Sequence, residues 1–207
     1  MDAIANGSEL VIRATRAGTW STTLSNGRTV KSSVADVPAA LDLTGITWHI
    51  AAEDWQPANP YAATTGPAAA ETKKTKLELD IQGLKPWPQI PALQFVAGLA
   101  TYTATFDLPV TWAKGQGALL SLGEVFDTFS VTVNHQPVSV DQLSAEADLG
   151  AQLKPGRNTI NVRVATTLNN RLASLDEDVK NRGFVQPYGL VGPVRITPYR
   201  TVPVSGR

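Results

Sequence analysis

Thr101-Tyr102-Thr103-Ala104-Thr105-Phe106-Asp107-Leu108 decides the fold. Tyr102, Ala104, Phe106 and Leu108 fall on one side of an extended chain, and Thr101, Thr103, Thr105 and Asp107 on the other. Side chains alternate across a strand with a period of two, so this segment reads as a strand with one face in a core and one in water. The same alternation sets Phe129, Val131 and Val133 against Ser130, Thr132 and Asn134, and Ile160, Val162 and Val164 against Asn161, Arg163 and Ala165. Shorter runs predict strands at 10–13, 19–24, 29–33, 45–51, 77–81, 118–122 and 194–198. Many short strands separated by turn residues, with few helix signals, define an all-β antiparallel two-sheet sandwich of jelly-roll type.

The connections carry their own chemistry. Asn26-Gly27 predicts a hairpin with both central residues at positive φ, and Pro155-Gly156 a turn into the strand that starts near Asn158. Ser174-Leu175-Asp176-Glu177 fits a capping box, with Ser174 as the cap of one or two helical turns ending near Gly183. Asp148 is placed to cap a single turn through Leu153. Residues 56–76, with Pro57, Pro60 and Pro67 among small residues, read as a long surface loop. Residues 1–40 read as a hairpin-rich β appendage or the end of a preceding domain, and 41–207 as the main sandwich.

Composition narrows the function. Of the 207 residues, 43% are hydrophobic, enough for a sizeable core, and 17% are charged, below the roughly 25% of an average domain. Eighteen Lys and Arg balance eighteen Asp and Glu, so no basic stripe is present to neutralise phosphates, and a nucleic-acid partner is not expected. No apolar run reaches the ~18 residues of a membrane span. The chain has no cysteine, which excludes disulfides and thiolate metal sites and suits an oxidising, extracellular compartment. The single methionine, Met1, reads as a start codon added to an excised fragment of a secreted parent.

From residue 84 onward the segments fall in a recognisable order. Leu84-Lys85-Pro86-Trp87-Pro88 precedes Gly98-Leu99-Ala100-Thr101-Tyr102-Thr103 and Phe106-Asp107-Leu108-Pro109. Leu120-Ser121-Leu122-Gly123-Glu124-Val125, Val131-Thr132-Val133-Asn134 and Leu153-Lys154-Pro155-Gly156-Arg157-Asn158-Thr159-Ile160 follow. Asn169-Asn170-Arg171-Leu172 and Pro187-Tyr188-Gly189-Leu190-Val191-Gly192-Pro193-Val194 close the series. Over about residues 41–199 this order resembles the galactose-binding-like jelly roll of glycoside hydrolases, in particular the C-terminal region of family 106 α-L-rhamnosidase-type enzymes and, more distantly, the family 2 sugar-binding domain. His135 departs from the pattern, which has Gly after Asn134; His tolerates positive φ better than most residues, so the turn survives. The resemblance implies a non-catalytic domain of a secreted enzyme whose catalytic carboxylates lie in a separate barrel.

The residues themselves offer no catalytic set. Glu53, Asp54, Glu124, Asp127, Asp176, Glu177 and Asp178 are the candidate acids, of which Glu124 and Asp127 lie close along the chain, yet strand-end carboxylates ordinarily bond backbone N–H groups. His49 sits in an alternating run and His135 in a turn, neither beside a nucleophile motif. No cofactor is implied; the oxygen-rich 176–178 run and Asn169-Asn170 could ligate a structural calcium ion. Sugar C–H faces stack on exposed aromatic rings, so the candidate polysaccharide or oligosaccharide contacts are the loop residues Trp55, Trp87, Trp112 and Tyr188, with Asp127, Asn170 and Arg171 bonding hydroxyls. The expected function is a carbohydrate-binding module linked to a catalytic domain. The alternative is a structural domain that packs on that catalytic barrel without a ligand of its own.

Overall fold

The computed structural model describes residues 2–6, 9–58, 72–110, 112, 116–183 and 185–204. Two antiparallel sheets face each other. The first runs β1 (Asp2–Asn6), β2 (Glu9–Ala14), β16 (Arg195–Pro203), β9 (Gln116–Ser121), β13 (Glu146–Asp148), with β5 (Leu41–Asp42) also pairing β16. The second runs β12 (Gln136–Val138), β11 (Thr128–Val133), β14 (Gly156–Ala165), β8 (Gly98–Leu108), β6 (Thr47–Pro57), β7 (Thr72–Gln82). Two ribbons complete the fold: β3 (Gly18–Thr23) with β4 (Thr29–Val34), and β10 (Glu124–Phe126) with β15 (Gly189–Gly192). Neighbours in the sheets are joined by chain-distant strands as well as hairpins, as a jelly roll requires.

The alternation read from the sequence is the alternation observed. Tyr102, Ala104, Phe106 and Leu108 on β8 pack with Val131, Val133, Ile160, Val162 and Val164 in one continuous core between the sheets. Trp48 is fully buried there, donates its indole N–H to Leu43 O at 2.9 Å, and meets Tyr102 edge-on at 6.4 Å between ring centroids. The first forty residues join the same structure: β2 pairs β16 from Arg200↔Ala14 to Pro203↔Val11. They also hold a small cluster of their own, Ile12, Ala14 and Val34, against which Trp20, Val37, Val202 and Val204 pack.

Three local expectations are corrected. The hairpin at Asn26-Gly27 forms, with Thr23 opposite Thr29, but only Gly27 is left-handed (φ 81°), because Asn26 uses Oδ1 to accept the Arg28 N–H at 3.0 Å. The turn with both central residues at positive φ is instead Asn134-His135 (φ 50° and 65°), joining β11 to β12. Residues 56–57 and 72–76, expected in a loop, extend the β6–β7 hairpin to Pro57↔Thr72; Pro57 is tolerated because it ends its strand, and the rest of that loop, 59–71, lies outside the described residues. The helix near 176 starts at Asp176, not Ser174. Asp176 Oδ1 accepts N–H bonds from Asp178 and Val179 to cap α2 (Glu177–Arg182), while Ser174 Oγ donates to Arg171 O at the end of a preceding helix, α1 (Asn169–Leu175).

The Lys154–Asn158 turn shows why that motif has Asn at its end. Asn158 is fully buried, donates to Lys154 O and Gly156 O at 2.8 Å each, and accepts from Lys154 N–H at 3.0 Å and from Asn134 Nδ2 at 2.8 Å. One side chain thereby satisfies the turn's backbone and locks it to the β11–β12 corner. The single turn expected after Asp148 is a 3-10 turn at Gly150–Gln152, and Asp148 Oδ1 accepts the Gly150 N–H at 3.0 Å.

Candidate functional site

Most of the candidate residues gather where the ends of β6, β8 and β10 meet the segment from Thr166 to Tyr188, but they turn toward one another rather than toward solvent. Trp87 lies in a 3-10 turn, is fully buried, and donates its indole N–H to the Tyr102 hydroxyl at 2.5 Å. Tyr188 is also fully buried and crosses Trp87 edge-on, with centroids 6.2 Å apart. Its hydroxyl lies 2.5 Å from Thr167 Oγ1 and accepts the Asn170 N–H at 3.3 Å. Asn170, 1% exposed, exchanges two bonds with the Gln186 backbone, Nδ2 to O and N–H to Oδ1, at 2.9 Å each. Asp127 is exposed, yet its Oδ2 accepts the Thr167 N–H at 2.9 Å. Asp127 and Tyr188 thus meet at Thr167, and Asn170 and Trp87 join the network through Tyr188.

Close packing forces one glycine in this network. Gly189 has φ 94°, and a Cβ there would overlap the Trp87 indole nitrogen and the Tyr102 hydroxyl. Tyr102 also accepts the Leu190 N–H at 3.2 Å, and burial pushes its phenol up to about 12 against the lowering effect of the Trp87 bond.

Arg171 points the other way, across the sandwich edge to Asp54. Its Nη2 lies 2.6 and 2.5 Å from the two Asp54 oxygens, and the side chains are 16% and 6% exposed. Asp54 also accepts the Ala97 N–H at 3.2 Å and Gln56 Nε2 at 2.5 Å. Trp55 is half-buried on the opposite face of β6. Its indole N–H goes to Glu53 Oε1 at 2.6 Å, Lys74 Nζ stands 4.1 Å over its ring, and its pyrrole edge lies against Gly98, where a Cβ would sit 2.9 Å from Trp55 Cδ1. The indole donor first, and then the Lys74 ammonium, hold the Glu53 carboxyl below its ordinary range. Trp112 is 7% exposed and belongs to the main core.

The expectation of an aromatic platform is therefore corrected for Trp87, Trp112 and Tyr188, which are buried in the main core, whereas Trp55 is half-buried with Lys74 over its ring. Of the oxygen-rich segments, Asp176 caps α2 and Asn170 is bonded to Gln186. Sequence reasoning missed Asp54, Tyr102, Thr167 and Gln186 as members of these networks. One surface that stays open is a groove of ≈ 380 Å³ across the outer face of β7, β6, β8 and β14, with Ala51, Leu99 and Thr101 in its lining beside Arg163 and Glu78.

The fold has counterparts among solved structures. A rhamnosidase from Novosphingobium sp. PP1Y matches with a TM-score of 0.56 at 20% identity, over 96% of this chain and 23% of that one. A β-glucuronidase from Faecalibacterium prausnitzii matches with a TM-score of 0.48 at 22% identity, over 78% of this chain and 31% of that one. A GH2 β-galacturonidase from Eisenbergiella tayi matches with a TM-score of 0.49 at 18% identity, over 80% of this chain and 25% of that one. No protein-family model matches the chain, and no curated protein does. The chain thus has the all-β sandwich fold found in part of a glycoside hydrolase, and it spans less than a third of each of these neighbours.

Proposed function

We propose that this chain is a non-catalytic ancillary β-sandwich of a larger glycoside hydrolase, and that its main task is structural. The observation that carries this reading is the inward use of the loop-end chemistry: Asp54, Asn170, Arg171, Tyr188 and Trp87 bond one another, the buried Tyr102 and the chain's own backbone, and Asp127 accepts a backbone N–H. Among the described residues no carboxylate pair is left poised around a cavity there, as acid–base hydrolysis of a glycoside needs. The match of 96% of this chain to 23% of a rhamnosidase chain supports the ancillary role. The test is turnover of aryl rhamnosides and aryl glucuronides by the pure protein. None is expected; turnover abolished by Glu124→Gln or Asp127→Asn overturns the reading.

A second reading, glycan binding, is favoured by the open groove beside Arg163. Arg163 and Glu78 are exposed, and Ala51, Leu99 and Thr101 offer a low floor between them for a pyranose ring. Affinity electrophoresis on soluble polysaccharides tests it: retardation lost in Arg163→Ala but kept in Trp87→Phe supports the groove. Retardation unchanged in Arg163→Ala and in Glu78→Ala removes it.

A further inference from the structure

The helix α1 is amphipathic with its faces reversed. On a surface helix the apolar stripe belongs against the core and the polar stripe in water. Here Leu168, at the cap, and Leu172 and Leu175 recur at i, i+4 and i+7, one helical face, and are 52%, 46% and 50% exposed. The inward positions are polar: Asn170 is bonded to Gln186, and Arg171 to the buried Asp54. Those bonds fix the roll of the helix, so it cannot turn its leucines inward. Phe95 and Val185, 43% and 55% exposed, stand with Leu175 around a depression of ≈ 450 Å³. Among the described residues, five of the eight exposed large hydrophobics lie in this one region. Scattered apolar residues on a surface need no explanation; a held, contiguous patch marks an interaction surface.

The rim selects the occupant. Among the described residues, Asp176 and Glu177 line the depression with one cation, Lys180, which lies 3.0 Å from Glu177, and Asp178 follows in the same turn. The rim is therefore net acidic. A second copy, docked about a two-fold axis, would set this rim against itself, and like charges facing across an interface oppose association. A partner with an apolar centre and a basic rim fits. We propose that the Leu168–Leu172–Leu175 stripe, with Phe95 and Val185, is the face by which this domain packs on such a surface of the rest of its glycoside hydrolase chain. This rests on the ancillary-domain reading above.

The test is hydrogen–deuterium exchange of the α1 amides, residues 169–175, in the 207-residue chain alone and within the full-length parent polypeptide. The expected result is exchange slowed about tenfold or more in the parent, with protection lost in the parent carrying Leu172→Glu and Leu175→Glu. Leu143→Glu, at an exposed leucine elsewhere, keeps the protection. Equal exchange in the chain alone and in the parent overturns the docking face and leaves the ancillary reading standing. A concentration-dependent dimer of the isolated chain, dissolved by Leu172→Glu with Leu175→Glu, overturns it in favour of a second copy. A coding sequence with no glycosidase domain joined to this chain overturns the ancillary reading, and the proposal with it.

Discussion

Arg171→Ala tests whether the α1 segment is built into the sandwich or merely rests on it. Arg171 is held by Asp54 through two contacts of 2.6 and 2.5 Å, with the Asp54 side chain 6% exposed. Truncation leaves Asp54 a buried carboxylate with only the Ala97 N–H, at 3.2 Å, and Gln56 Nε2, at 2.5 Å, as partners. Breaking a buried pair from one side costs about 3–5 kcal/mol. The two surviving bonds place this case near the lower end, about 3 kcal/mol. Asp54→Asn leaves the guanidinium without its counter-charge and belongs in the same range. Replacing both, Asp54→Leu with Arg171→Met, removes both charges from the low-dielectric site, so its cost falls well below the sum of the two single replacements. Urea denaturation followed by tryptophan fluorescence reads all three, as shifts in midpoint at constant slope. Single losses below about 1 kcal/mol, the size of a surface pair, together with additive behaviour in the double variant, would refute the buried-latch account.

Alkaline pH tests Tyr102, whose folded-state phenol stands at about 12 against an ordinary 10.0. The folded protein holds that proton more tightly than the unfolded chain, so the contribution is whole below pH 10 and is lost as pH rises toward 12. It amounts to about 2–3 kcal/mol, and the steepening of the denaturation midpoint over that window should be smaller in Tyr102→Phe. Gly189→Ala should destabilise by more than about 2 kcal/mol, since it combines a left-handed backbone with overlap onto Trp87 and Tyr102; a thermal midpoint within a degree of wild type would contradict that packing. Trp87→Ala should cost about 3–5 kcal/mol by calorimetry, whereas Trp55→Ala, at a half-buried site, should cost less than half as much.

The sandwich was legible because its strands obey a period of two without interruption. Tyr102 to Leu108, Phe129 to Val133 and Ile160 to Val164 each declare an inner face, and each inner face is in the core. What escaped the sequence was decided by contacts distant along the chain. The 72–76 segment is rich in Lys and Thr and carries no apolar stripe of its own, so only its pairing with Glu53 to Pro57 makes it a strand. Ser174 and Asp176 are both good caps. The choice fell to Asp176 because α1 ends at Leu175, where Ser174 already donates to Arg171 O.

The loop residues failed as a binding platform for a physical reason that residue type conceals. Trp, Tyr, Asn and Arg at a sandwich end serve equally to grip a sugar or to close the end of the core, since both tasks need an apolar body with a polar tip. The sequence did hold a signal that separates the two. Trp48, Ile50, Ala52 and Asp54 share one phase of β6, and the first three are core residues. A carboxylate in the inward phase of a buried strand requires a cation brought from elsewhere, and Arg171, in a segment of weak helix signal, is the residue that answers it. Once Arg171 is assigned inward, Asn170 and the Gln186–Tyr188 segment are drawn in beside it, and the leucines on the opposite side of α1 must face out. The buried carboxylate, the inward-turned loop residues and the exposed leucine stripe are therefore one arrangement: the pairing of Asp54 with Arg171 draws the polar side of α1 inward and turns its leucines out.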